Sequence, residues 1–546
     1  MNRPRLTDAL ALSILLAVAL LLRWQARDVW TYDLQPWPDA LEYAHVGWRL
    51  KSCGEWTLHI QQSTLPSRYP PGMSLLIAPW LLLPGFELWH SYLPVLLCSL
   101  ATVVITFSWL RGRVGLLAAL IGVSILVFSP THVHFSVLTM SEIPSCLLLL
   151  VAGTQGLRLL EMPAAEGRRL AFGAGLLCGL SALLRYPNAL IGALVPGLLA
   201  LDRKGRGKVL PFVAGLAIGL CVLLAYNQVV SGAFWRSGYR FWEPDDYANL
   251  NDHLSGRFFL EPDDSEWSGG NLRYYTGVLL GIDRSLLNPF VVVVAMAGAI
   301  SMLRHRRKPE LKIALGMIAV TFLFYCAYFF RAARLLVVLL PFVAMLCARG
   351  AEWLFSHLPR APQRISLAAA ILVVNAGLAY GIDGLRRGKG ETLEELYAHR
   401  FGGPEDAVLP HLDQALSDLP SGSVLIVDLP RLLVEPALKS SIDVVNLSEF
   451  SSDKHTDWAW KHSLRDLQGR PFRPPVVLRR DGSMDVPTVE GLKRHLEHGG
   501  RVFLLYSRRL TVFSKESVKR SFGAVFRIES LLMQDALSLL EVHLRS

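Results

Sequence analysis

The residues of this sequence that could do chemistry are of three kinds. Carboxylates stand at Asp39 and Glu42, with Tyr43 beside them, and again at Glu142; a proline-stiffened basic turn runs Arg68-Tyr69-Pro70-Pro71; and Arg185, Arg331 and Arg334 lie in or beside apolar stretches. A carboxylate can orient and deprotonate a hydroxyl. Arginine grips phosphate through two parallel hydrogen bonds. An arginine at apolar depth is costly and takes a partner, either a carboxylate such as Glu142 or Asp39 or the phosphate of a lipid-linked substrate. Structural alternatives stand beside each reading. Asp39 and Glu42, following Pro38 and preceding Gly54, also fit a capping box on a helix. Arg68 before two prolines is either a cation held rigidly at headgroup depth or a snorkelling arginine at a helix start. Ser141-Glu142 is also what a helix N-terminus favours electrostatically. His132 and His134, on alternating positions, resemble a metal pair only faintly, because no third ligand stands at a suitable spacing.

The elements that must hold these residues are set by composition. The 546 residues are 52% hydrophobic and 18% charged, with a mean hydropathy of +0.35. Such a chain is too apolar for an ordinary soluble protein and reads as a polytopic α-helical membrane protein. On the criterion of about 20 apolar residues per span, about eleven spans fall near 8–23, 89–110, 114–130, 143–160, 170–184, 187–201, 209–230, 288–303, 311–330, 334–355 and 365–385. Residues 170–201 are either two helices or one broken helix, and 73–86 is too short and proline-rich to count. The basic start and apolar run lack a small-residue cleavage signature, which predicts an uncleaved first helix.

Charge orients the spans. Arg3 and Arg5, Arg111 and Arg113, Arg168 and Arg169, the run 202–208, the run 304–308, and Arg360 with Arg364 all fall on one side when the N-terminus is cytoplasmic. The positive-inside rule is then satisfied at each turn. It also explains the net charge of +10 without nucleic acid, for which no binding is expected. The extracytoplasmic side receives the loop 24–88, the segment 130–142, the aromatic-rich loop 231–287, and everything after the last span. A loop as long as 231–287 is unusual unless it covers a site. The division expected is a transmembrane domain over 1–385 and a soluble α/β domain over 386–546. In the latter, 423–428, 442–447, 475–480 and 501–506 read as short strands, 488–500 as an amphipathic helix closed by glycines, and the final two apolar runs as a hairpin. The seven cysteines form neither a disulfide framework nor a zinc spacing.

Asp39-Ala40-x-x-Tyr43 in the first loop, Tyr69-Pro70-Pro71-Gly72 about thirty residues on, Ser141-Glu142, Leu183-Leu184-Arg185-Tyr186-Pro187, and Arg331-x-x-Arg334 leading into Leu-Leu-Val-Val-Leu-Leu-Pro-Phe resemble, in that order, the GT-C superfamily. The likeness is to its polyprenyl-phosphate-dependent bacterial members, such as protein O-mannosyltransferases and lipid A aminoarabinose transferases. It covers about residues 1–385. The resemblance implies an inverting glycosyltransferase of the inner membrane that moves a sugar from a polyprenyl-phosphate donor to an envelope acceptor hydroxyl at the outer face. It implies Asp39 as the residue that deprotonates the acceptor and Glu142 as the second acidic position. Arg68 or Tyr69 takes the place of a phosphate-contacting residue, joined by Arg185, Arg331 and Arg334. Glu42, Tyr43, His132 and His134 are secondary candidates. No cofactor is implied, a divalent metal being the one option the His pair leaves open. The C-terminal domain resembles the extracytoplasmic domains of these enzymes, associated with acceptor recognition. Two competing readings remain. A lipid-linked-sugar flippase predicts inverted repeats and mid-membrane charges, which the sequence lacks, and a non-catalytic scaffold accounts for the soluble domain but not for acids and arginines gathered on one face.

Overall fold

Lipid offers backbone amides no partners, so the apolar runs of this chain must fold as helices. In the computed structural model they do. It describes residues 6–36, 38–60, 63–163, 166–242, 254–260, 270–282, 284–305, 308–380, 407–427, 429–438, 441–448, 465, 476–478, 486–507, 515–533 and 537–545. Among these, seven helices are long and apolar enough to cross a membrane: Leu6–Gln25, Leu88–Arg111, Glu142–Glu161, Arg206–Ser231, Pro309–Cys326, Ala333–Ser356 and Ala361–Leu378. The stretches 114–130, 187–201 and 288–303 form shorter apolar helices, and so does Gly72–Leu81, which hydropathy had passed over. The stretch 170–184 becomes the helix Arg168–Ser181. The chain is thus a polytopic α-helical membrane protein, and among the described residues seven of the eleven expected spans are helices long enough to cross, the other four being shorter. Residues 170–201 resolve into two helices with a break at 182–186, which leaves Arg185 and Tyr186 at the turn.

One helix pair that places this turn packs without side chains between its backbones. Gly175 and Gly179 of Arg168–Ser181 face Gly215 and Gly219 of Arg206–Ser231. A Cβ on Gly175 would lie on the Phe212 carbonyl, and one on Gly215 on the Phe172 carbonyl. Two small-xxx-small stripes let the helices approach closely, the main source of association where lipid removes the hydrophobic drive.

The polar C-terminal region is a six-stranded sheet in the order β5-β4-β3-β6-β8-β7. Its strands are β3 (Val424–Val427), β4 (Asp443–Ser448), β5 (Val476–Leu478), β6 (Val502–Ser507), β7 (Phe526–Met533) and β8 (Leu537–Leu544). The first four are parallel, and β7 and β8 form the antiparallel hairpin expected of the last two runs. The boundary expected near 385 lies outside the described residues. Alternation divides the sheet's faces. Val424, Ile426, Val502 and Leu504 join Leu492, Val518 and Phe522 in one cluster, while Leu425, Val427, Phe503 and Leu505 belong to the same apolar core as the membrane helices. The domain is therefore fused to the bundle rather than tethered to it. A small hairpin, β1 (Thr57–Ile60) with β2 (Ser63–Pro66), lies in the first loop beside the helix Asp39–Cys53.

Gly215→Val is expected to wedge the two glycine-striped helices apart and to lower the thermal midpoint of the detergent-solubilised protein by several degrees, consistent with a cost of about 1–3 kcal/mol for overpacking. Val213→Leu, on the exposed face of the same helix, is the control that should leave it unchanged.

Candidate active site

The helix Asp39–Cys53 begins with Asp39 itself. Its N-cap is Pro38, which makes no side-chain capping bond, so the capping-box alternative does not hold. The two carboxylates that the box would have used are freed for separate partners. Asp39 Oδ1 accepts a hydrogen bond from the Tyr69 hydroxyl at 2.6 Å, and Asp39 Oδ2 lies 3.4 Å from Arg334 Nη2. The same guanidinium reaches Glu142 Oε1 through Nε at 3.4 Å, and Arg185 Nη1 reaches that oxygen at 3.0 Å. Tyr69, Asp39, Arg334, Glu142 and Arg185 thus form one continuous chain of contacts. It joins four stretches of sequence: the first loop, the start of Glu142–Glu161, the break at 182–186, and the 3-10 turn Ala333–Leu339.

Exposure separates the two acids. The side chain of Asp39 is 21% exposed and that of Glu142 only 3%, so Asp39 is the one a hydroxyl could reach. Glu142 Oε2 has no hydrogen-bond partner among the described residues. Arg334 sits between the rings of Phe135 and Phe330, each 5.7 Å away, which steadies the cation without neutralising it. Burial works against the charge of Arg185, but Tyr325 and Glu142 outweigh it and hold the guanidinium above its ordinary value. Burial, then the charge of Asp39, pushes the Tyr69 phenol well above its ordinary range, so it stays a donor to Asp39 at any working pH.

The remaining candidates divide between support and separate structure. Glu42 is sealed and takes the Ser67 hydroxyl at 2.9 Å, the Arg68 amide at 2.8 Å and Arg68 Nε at 3.5 Å. Arg68 also lies over the Trp242 ring, 4.9 Å away. The pair fixes the Pro-Pro turn, and of the two residues before it Tyr69, not Arg68, reaches Asp39. Tyr43 donates to Ser141 Oγ at 3.4 Å, tying the first loop to the start of the Glu142 helix. Arg331 turns to a different neighbour from Arg334: its Nε donates to Asn271 Oδ1 at 2.7 Å, and its Nη1 is buried with no partner among the described residues. His132 is buried and accepts from Arg23 Nη2 at 2.8 Å through Nδ1, so that nitrogen is unavailable to a metal. Among the described residues no group of three or more His, Cys, Asp and Glu side chains is placed to hold a metal ion.

Sequence reading had missed several residues that matter. Asn271 orients Arg331 while donating to the carbonyls of Tyr325, Cys326 and Tyr328. In the long loop, Trp242 donates to the Pro66 carbonyl at 2.6 Å, and the Tyr239 ring stands edge-on to Tyr69, their centroids 5.5 Å apart. The aromatic richness of that loop was the visible signal; its registration on the turn at 66–69 was not. Residues 243–253 and 261–269 of the loop lie outside the described residues.

Burial pushes His134 down to about 4. An unfolded histidine titrates near 6.5, so between these values the unfolded chain binds a proton that the folded one does not, and stability falls as pH drops through that window by up to about 3 kcal/mol. His134→Phe should flatten the pH dependence of the thermal midpoint between about pH 6.5 and 4.

The model of Glycosyltransferase family 87 matches residues 68–328. Two solved structures of ArnT from Cupriavidus metallidurans share the fold. The apo form is 14% identical, with a TM-score of 0.59 and 97% of each chain covered; the form bound to undecaprenyl phosphate is 15% identical, with a TM-score of 0.60 and the same coverage. A search of curated protein sequences finds no match. The segment matched by the family model carries Tyr69, Glu142 and Arg185 of the contact chain, and the helical bundle that holds them has the ArnT fold.

Proposed function

We propose that this enzyme transfers a sugar from a polyprenyl-phosphate donor to the hydroxyl of an envelope acceptor, with inversion, at the outer face of the inner membrane. The observation that carries this reading is the pairing of one reachable carboxylate, Asp39, with two arginines, Arg334 and Arg185, anchored on one sealed carboxylate, Glu142. The undecaprenyl phosphate bound by the ArnT structure of the same fold supports the choice of donor.

In the proposed step the acceptor oxygen attacks the anomeric carbon as the bond to the phosphate oxygen breaks. Asp39 takes the acceptor proton, and the leaving phosphate gains one negative charge. That charge develops where Arg334 and Arg185 already stand, and preorganised cations in a dry site are worth more than in water. Arg331, its Nε fixed by Asn271, supplies a further donor from Nη1. Tyr69 holds the Asp39 carboxylate so that Oδ2 faces the reacting group. Glu142 spaces the two arginines and keeps the empty site near neutral.

The charge pattern supports the orientation. Arg111 pairs with Asp8, Arg113 with Glu161 and Glu310, and Arg349 with Glu310, all at the end of the bundle opposite Asp39. A positively charged cytoplasmic side leaves the Asp39 end outside.

Asp39→Asn should reduce release of free polyprenyl phosphate, in membranes supplied with polyprenyl-linked sugars and envelope acceptor, by about 100-fold or more. Full transfer by that variant excludes the assignment. Tyr69→Phe keeps the ring and loses the hydroxyl, and is expected to lower turnover by roughly tenfold with little change in donor KM. Arg334→Gln should lower turnover and raise donor KM together, the mark of a group that binds phosphate before and during transfer.

A further inference from the structure

The C-terminal domain touches the chain just ahead of the helix of Asp39 and the buried stretch of that helix itself. Ahead of it, Asp33 Oδ1 accepts the amides of Val408 at 2.7 Å and Leu409 at 2.9 Å, the first free N–H groups of the helix Leu409–Leu416. Asp33 is 1% exposed and lies six residues before Asp39. Between them Leu34, fully buried, is held at φ 53°, a left-handed conformation that a leucine adopts only when its surroundings impose it. Nearby Ala407 packs with Ala26, Val29 and Tyr32. Within the helix, His45 is fully buried and uses both ring nitrogens. Its Nδ1 donates to the Leu432 carbonyl at 3.2 Å, and its Nε2 accepts the His59 amide of β1 at 3.4 Å. Leu432 belongs to the segment that follows β3, and Leu425, Val427, Leu432 and Leu433 lie in the same apolar core as Ala40, Leu41 and Ala44.

The span from Asp33 to His45 contains Asp39, so two polar contacts and one shared core set the position of that carboxylate. We propose that the C-terminal domain is a positioning part of the active site: through Asp33 and His45 it fixes the helix that carries Asp39, so that turnover rather than donor binding depends on it. Asp33 and His45 are positioning residues and touch neither donor nor acceptor. The inference rests on the reading of Asp39 as the base. It assigns the domain a duty apart from acceptor recognition and predicts that loosening the clamp acts as a small misplacement of the base, which geometry-dependent steps punish severely.

The test uses the full chain in lipid nanodiscs with three variants: Asp33→Ala, which removes the acceptor; Asp33→Asn, whose amide oxygen still accepts from Val408 and Leu409; and His45→Phe, which keeps a ring but loses both hydrogen bonds. Asp33→Ala should lower turnover at saturating donor by about tenfold while leaving the affinity for undecaprenyl phosphate alone within about twofold. Hydrogen exchange should quicken over residues 40–47 and 408–411 and stay unchanged in Glu142–Glu161. Asp33→Asn should recover most of the turnover and the protection, and His45→Phe should behave as Asp33→Ala. If Asp33→Ala does not accumulate, His45→Phe decides alone. Unchanged turnover and exchange in both disruptive variants, or a loss of undecaprenyl phosphate binding as large as the loss of turnover, overturns the proposal. An active Asp39→Asn overturns the reading of the base instead, and the exchange experiment still judges the clamp.

Discussion

The chain of contacts around Asp39 depends on how two half-buried arginines are neutralised. A guanidinium largely removed from water needs a partner, and Glu142, 3% exposed, serves both Arg185 and Arg334. Because Arg334 extends past Glu142 to Asp39, the partly exposed acid is registered against the sealed one, and Tyr69 closes the chain from the other side. Charges that would be mutually repulsive in any other arrangement become the reason that four distant segments meet.

The fold delivers those segments with ordinary membrane-protein devices. Glycine stripes bring Arg168–Ser181 against Arg206–Ser231, which places the turn bearing Arg185. The loop between Arg206–Ser231 and the next membrane helix sends Trp242 to the Pro66 carbonyl and Tyr239 to the Tyr69 ring, so the turn before Gly72 is covered from above. At the far end a second set of ion pairs, Arg113 with Glu161 and Glu310 and Arg349 with Glu310, ties three helices together. The two charge clusters are alike in composition and differ in place: the one at Asp39 joins the first loop to the break at 182–186 and the turn Ala333–Leu339.

The C-terminal sheet belongs in the same account. Its two faces are buried differently, one on its own helices and one in the core it shares with the bundle. A domain joined in this way is part of the scaffold on which the site is built. Its contacts through Asp33 and His45 fall just ahead of, and within, the helix that holds the reachable acid.

Periodicity and hydropathy alone determined the membrane class, the places of most helices, and the short strands and closing hairpin of the C-terminal domain, because burial of apolar surface and satisfaction of backbone amides are local demands. What only the tertiary structure decided is which of several equivalent-looking residues reaches the centre. Arg331 and Arg334 are three apart and chemically the same, yet Arg331, ahead of the 3-10 turn, meets Asn271, and Arg334, on it, meets Asp39 and Glu142. Asp39 and Glu42 read as one capping pattern, but Pro38 takes the N-cap and Glu42 goes to Arg68. Arg68 and Tyr69 are adjacent in one turn, and it is the Tyr69 hydroxyl that meets the Asp39 carboxylate while Arg68 goes to Glu42. Such choices rest on contacts between residues from 26 to 295 positions apart, and no local pattern encodes the direction in which a side chain will find its partner.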